Sequence, residues 1–165
     1  MKKLLSILLG IAFMIDLKAQ SYALDDAEAS GHGRTNKSVY AEAGGGGLIF
    51  SANFDSRFPG TDNLGYRVGL GLFPRGNTIV TFPFGAYYLI GNAPSYFEVE
   101  ATGTFATSEA KFRSHKANFF FYPHIAYRFN KNTGGFFFKV EGGPIFVAGK
   151  IYPFPGLGLG YTLGK

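Results

Sequence analysis

The sequence predicts an all-β protein, a closed antiparallel up-and-down barrel of eight strands, and three observations predict it. From Ser38 onward, segment after segment alternates apolar and polar residues at period two, the signature of strands with two unlike faces. The turn-formers FPGTDN, FPRGN, GNAPS and NKNTGG separate these segments and are short enough to join antiparallel neighbours. The third observation places the barrel in a membrane. Only 16% of the residues are charged, against 19 Phe and 10 Tyr, too few to coat a water-facing exterior, where roughly a quarter of a soluble domain's residues carry charge.

The elements follow in order. Met1-Lys2-Lys3 is a short basic start, Leu4 to Ile15 is almost wholly apolar, and Leu17-Lys18-Ala19 ends on a small residue, which together make a secretory signal peptide over residues 1–19. The apolar run, about a dozen residues, is short of the ~20 that a spanning helix needs. There is no Cys, so neither lipid attachment at a processed N-terminal Cys nor a disulfide framework is available. Removing Lys2, Lys3, Lys18 and Asp16 leaves 13 basic and 10 acidic residues, a net charge of +3. The basic residues are scattered singly, which argues against a nucleic-acid partner. Residues 20–37 mix small, polar and charged types without a period and read as a flexible leader. Residues 38–165 form the barrel.

Within it, YRVGLGLF sets Tyr66, Val68, Leu70 and Leu72 against Arg67, Gly69 and Gly71. Thr78 to Ile90 sets Val80, Phe82, Phe84, Ala86, Tyr88 and Ile90 against Thr81, Pro83, Gly85 and Tyr87. YFEVEATGTF places Phe97, Val99, Ala101 and Phe105 opposite Glu98, Glu100, Thr102 and Thr104. Further on, Phe121, Ile125, Tyr127 and Phe129 oppose Tyr122, His124 and Arg128, and Phe138, Val140 and Phe146 oppose Lys139 and Glu141. The last strand alternates Leu157, Leu159, Tyr161 and Leu163 with Gly158, Gly160 and Thr162. Two connections read as longer loops, the charged Ser108 to Asn118 and Val147 to Pro155.

The stretch EAGGGGLIFSANFD reverses the phase of the alternation across four consecutive glycines. A hairpin turn at Gly44, Gly45, Gly46 and Gly47 accounts for the reversal, since positions of opposite parity meet across a tight turn. It would pair Ala43 with Leu48, Ala41 with Phe50 and Val39 with Ala52. A bulge within one long strand also shifts the phase, but it leaves seven strands, whereas the hairpin gives an even eight with both termini on one side.

In a bilayer every backbone N–H and C=O must be satisfied internally, and closing the sheet removes its edges. Mid-strand aromatics then face acyl chains. Tyr87, Tyr88, Phe119, Tyr127, Phe129, Tyr152 and Phe154, near strand ends, are placed for interfacial girdles. FPGTDN, GNAPS and NKNTGG become periplasmic turns, with the glycine run, FPRGN and the two longer connections facing outward. A soluble periplasmic ligand-binding barrel is the opposite arrangement, with the aromatic face turned inward around a cavity.

Inward positions carry Glu42, Glu98, Glu100 and Glu141 together with Arg67, Arg128 and Lys139, with His124 nearby. Eight strands enclose a space that side chains fill, so these groups are expected to form an ion-pair network that plugs the lumen, since charges in a low dielectric need partners. An open pore is not expected. The functional alternative is acyl chemistry by a Ser–His pair, with His124, or His115 beside Ser114, as candidates. His124 has no serine at a matching spacing, and a lone His is more often structural, so no catalytic residue is assigned. His32, His115 and His124 have no metal-ligand spacing, and neither GLGLF nor GGGG has the Lys-Ser/Thr of a phosphate loop. No metal or other cofactor is expected.

In VYAEAGGGGLIFSANFDSRF, YRVGLGLF, YYLIGNAPSYFEVEATGTF, GGFFFKVEGGPIF and PGLGLGYTLGK the chain resembles the small eight-stranded outer-membrane β-barrel proteins of Gram-negative bacteria, the OmpA/OmpX-like group, and particularly its short members. The resemblance covers nearly all of the mature chain and rests on patterns, not on catalytic signatures. It implies export through the general secretory route, insertion into the outer membrane by the barrel-assembly machinery, and contact with outer-membrane lipids and lipopolysaccharide. Its implied role is structural or in surface interaction. Such barrels commonly end on an aromatic residue; this chain departs from that pattern with Leu163-Gly164-Lys165, so that either Tyr161 substitutes or the terminus is atypical. Some small outer-membrane barrels modify lipids, which makes an acyl hydrolase or transferase the rival function.

Overall fold

The computed structural model describes residues 36–164 apart from 76, 113 and 114. The expected signal peptide, and the leader up to residue 35, lie outside them. Eight strands, β1 (Lys37–Gly44), β2 (Phe50–Arg57), β3 (Leu64–Arg75), β4 (Asn77–Asn92), β5 (Ser95–Phe112), β6 (His115–Asn130), β7 (Gly135–Val147) and β8 (Lys150–Leu163), follow one another round the sheet. Each pairs antiparallel with its neighbours in the sequence, and β8 pairs with β1 to close the barrel. Closure leaves no strand edge with unpaired backbone groups.

The alternation sorts side chains between the two sides of this wall. Val68, Leu70, Phe82, Phe84, Phe97, Val99, Phe105, Ile125, Val140 and Leu159 are exposed on the outer surface. Ser38, Asn53, Arg67, Thr81, Thr102, Thr104, Lys139 and Thr162 are buried on the inner one. The aromatic face therefore points outward, opposite to the arrangement a soluble ligand-binding barrel requires. Of the residues placed in girdles, Tyr88, Phe119 and Tyr127 are exposed and Phe129 is half-buried. Tyr87 is buried in the lumen, and Tyr152 and Phe154 pack against an inner apolar cluster. These three correct the sequence reading, and parity is the reason, because each has the inward phase of its strand.

Two connections at the end away from the termini are shorter than the sequence suggests. The β7–β8 connection, expected from Val147 to Pro155, is a two-residue turn in which Ala148 and Gly149 have φ of 47° and 73° and Val147 pairs with Lys150. Two positive φ values give the twist that matches the flanking strands. The charged stretch expected as a loop between Ser108 and Asn118 continues the β5–β6 hairpin, pairing Ala110 with Ala117 and Phe112 with His115 after a register irregularity past Phe105. Charge does not prevent backbone pairing where the strands run beyond the apolar belt. Ladder pairs are missing around Pro83, Pro123 and Pro144 without any change of register on either side, as expected of residues that cannot donate.

The first hairpin forms with a different register from the expected one. Ala43 pairs with Phe50, Ala41 with Ala52 and Val39 with Phe54, two positions away from the four-residue turn. Parity is preserved, so the apolar face is unchanged. The two extra residues, Leu48 and Ile49, go inward: Leu48 is buried and joins Phe73, Ile79, Ala110, Phe120, Tyr122, Ile145 and Val147 in an apolar cluster that fills the lumen at this end.

Candidate functional site

The inward residues of β1, β3, β5, β6 and β7 meet across the middle of the lumen. Arg67 on β3 grips Glu42 on β1 end-on, Nη1 donating to Oε2 at 2.9 Å and Nη2 to Oε1 at 3.0 Å. Its Nη2 also donates to Asn53 Oδ1 at 3.3 Å, and its Nε lies 3.3 Å from Glu100 Oε1. Gly85 on the inner face of β4 leaves room for the Glu100 carboxylate, whose Oε1 would stand 2.8 Å from an added Cβ. The paired forks satisfy several donors and acceptors together, which a buried ion pair needs if it is to offset its desolvation.

Lys139 on β7 lies at the centre of a carboxylate ring. Its Nζ is 2.7 Å from Glu98 Oε1, 2.7 Å from Glu100 Oε2 and 2.8 Å from Glu141 Oε2. His124 on β6 faces the same ring, with Nε2 3.3 Å from Glu100 Oε2 and 3.2 Å from Glu141 Oε2, while Nδ1 lies 3.2 Å from the Tyr122 carbonyl. Glu98, Glu100 and His124 are close enough to share a metal ion. Lys139, however, already supplies the cation to both glutamates, so the group reads as a filled charge cage.

A second centre lies toward the termini. Arg128 on β6 places Nη1 2.9 Å from Asp55 Oδ2 and 3.1 Å from Glu98 Oε2, donates from Nη2 to Asp55 Oδ1 at 3.0 Å, and donates from Nε to Asn130 Oδ1 at 3.1 Å. The guanidinium stacks over Tyr87 and Phe137, 5.0 and 4.8 Å from the ring centroids, a placement that offsets part of its desolvation. Glu98 thus links Arg128 to Lys139, and Glu100 links Lys139 to Arg67. All eight residues singled out from the sequence are buried and belong to this one connected set.

Asp55 was not among them. Its signal was available, because in FSANFD the polar residues Ser51, Asn53 and Asp55 share one phase. Tyr40 was also missed. Its ring stacks on Phe137 with centroids 4.6 Å apart and lies 5.9 Å from both Arg67 and Lys139.

The glycine run completes the site. Gly45–Gly47 form a single 3-10 turn whose three residues are buried, so the β1–β2 connection folds into the barrel mouth and does not stand out from it. Gly47 N–H donates to Glu42 Oε1 at 3.2 Å, and the Gly47 and Gly46 carbonyls accept from the hydroxyls of Thr81 and Thr104. The composition follows from the close approach. A Cβ on Gly45, which also has φ +60°, would collide with the carboxylates of Glu141 and Glu42.

The candidates for acyl chemistry separate. His124 has carboxylates and a tyrosine carbonyl beside it, and among the described residues no serine pairs with it. His115 pairs with Phe112 in the β5–β6 ladder, and Ser114 lies outside the described residues. Gly142, Gly143, Pro144, Pro153, Phe154 and Pro155 line an apolar groove.

An apolar outer wall around a charged, hydrogen-bonded interior defines an eight-stranded up-and-down barrel of inverted polarity. Its fold is that of the crystal structure of the N-terminal β-barrel domain of Pseudomonas aeruginosa OprF, with a TM-score of 0.51, 11% sequence identity, and coverage of 80% of this chain and 99% of that one. No protein-family model matches the chain, and no curated protein matches it.

Proposed function

We propose that the chain is an outer-membrane β-barrel protein with a structural or surface-interaction role, without enzymatic activity, whose lumen is closed to diffusion by its own side chains. The observation that carries this reading is the inversion of polarity. Large side chains such as Phe50, Ile90, Phe105, Phe136 and Ile151 are more than half exposed on the outside, while Arg67, Arg128, Lys139 and Glu98 are at most 1% exposed inside. Burying that much charge while exposing that much hydrocarbon is unfavourable in water and favourable in a bilayer. The likeness to the OprF barrel domain supports the reading at the level of the fold.

On this reading the outer wall contacts outer-membrane lipids, the loop end meets lipopolysaccharide, and the barrel-assembly machinery inserts the chain. The charge cage supports a closed lumen, because Arg67 on β3 reaches Glu141 on β7, on the opposite side of the ring, at 3.9 Å. Membrane fractionation combined with gel mobility before and after boiling tests the proposal. Recovery with outer membranes and a boiling-dependent shift are expected. Release without detergent, together with mobility unaffected by boiling, overturns it.

A further inference from the structure

Arg57 closes β2 at the end where both termini lie, one residue before the exposed turn that begins at Phe58. It is only 4% exposed. The other buried guanidinium and ammonium groups, Arg67, Arg128 and Lys139, each face carboxylates within 4 Å, and Arg57 has no such ion pair among the described residues. Asp55, two residues away on the same face, is engaged by Arg128. What Arg57 does have is the Tyr96 ring, 5.2 Å from its Cζ, which compensates the charge through the flat face of the guanidinium and leaves the in-plane N–H groups unused.

The unused nitrogens are Nε and Nη2, both buried and without a hydrogen-bond partner. They form one edge of the guanidinium, and their parallel N–H bonds have the spacing of the two oxygens of a carboxylate. Two further buried groups without partners, the Tyr87 hydroxyl and Asn130 Nδ2, belong to the same end. Tyr87 packs with Leu89 and Tyr96, the ring that Arg57 covers, and its hydroxyl leans over Gly65, the residue paired with Arg57 across β2 and β3. A buried cation left without a counter-charge costs several kcal/mol, and three side chains offering unused donors at one end of a barrel call for an acceptor.

We propose that the terminus end of the barrel holds an oxyanion site of the carboxylate class, centred on the Nε–Nη2 edge of Arg57 and assisted by Tyr87 and Asn130. The ligand that fits this chemistry is a free carboxylate, whose two oxygens match the paired N–H bonds.

The test uses the mature chain refolded in detergent micelles and follows the Arg57 Nε–Hε resonance, assigned by its disappearance in Arg57→Lys, during titration with sodium acetate at constant ionic strength. A saturable shift in the wild-type chain supports the site with a free carboxylate as its ligand. A wild-type resonance that acetate does not move overturns the proposal. Boiling-dependent gel mobility of both proteins verifies folding, so a negative result at Arg57 is separable from failure of the membrane reading.

Discussion

A β-carbon on Gly46 would stand 2.7 Å from Nη2 of Arg67, so the turn after β1 and the central guanidinium occupy adjoining volumes with no room for a methyl group. The turn is closed because it is glycine, and Arg67 keeps its fork on Glu42 because the turn lies behind it. Gly46→Ala should force one of the two to move and lower stability by about 1–3 kcal/mol, the usual cost of overpacking. Gly60, with nothing within 4 Å of its added Cβ but φ +78°, is the control, where Ala should cost only backbone strain of ~1 kcal/mol. Urea unfolding in lipid vesicles measures both.

Lys139 is the ammonium that three carboxylates share. Lys139→Met leaves Glu98, Glu100 and Glu141 facing one another and should destabilise the barrel by about 3–5 kcal/mol. Adding Glu100→Gln to that variant removes one of the repelling charges and should restore part of the loss. Equal unfolding midpoints for wild type and Lys139→Met would show that the ring does not depend on its ammonium.

The outer wall separates a membrane barrel from a soluble one at a single position. Leu70 is 52% exposed and pairs with Ala52 at mid-strand. Leu70→Arg should cost ~2–4 kcal/mol in a bilayer, whereas an exposed surface substitution in water stays within about 0.5 kcal/mol. Unfolding from vesicles distinguishes the two.

The acyl-chemistry alternative makes a definite claim about His124. Its ring lies in a carboxylate cage and stacks on Tyr122 with centroids 4.4 Å apart, an environment that holds it in place without offering a nucleophile. His124→Ala is expected to leave the lipid A of an expressing strain unchanged while weakening the barrel. Mass spectra of lipid A that differ between wild type and His124→Ala would reinstate the enzyme.

The count of eight strands needed the glycine run to be read as a turn, but period-two alternation by itself determined the strand class and the side of the wall on which Arg67, Glu98, Glu100, Arg128, Lys139 and Glu141 fall. Each of these depends only on parity along a local stretch, and parity survives small errors in register: the first hairpin is displaced by two residues, yet Ala43, Ala41 and Val39 still face outward. The tertiary structure alone decided which charges meet. Arg128 reaches Asp55 across 73 residues of chain because closure of the ring and the stagger of its strands bring β6 opposite β2, and no local pattern encodes that stagger. It also decided that the glycine turn folds inward, since its donors and acceptors are completed by Thr81, Thr104 and Glu42 from three other strands. Strand lengths at the loop end were illegible for a related reason. Lys150 to Pro155 and the charged stretch after Phe105 have loop-like composition, and only pairing with an existing neighbour makes them strand.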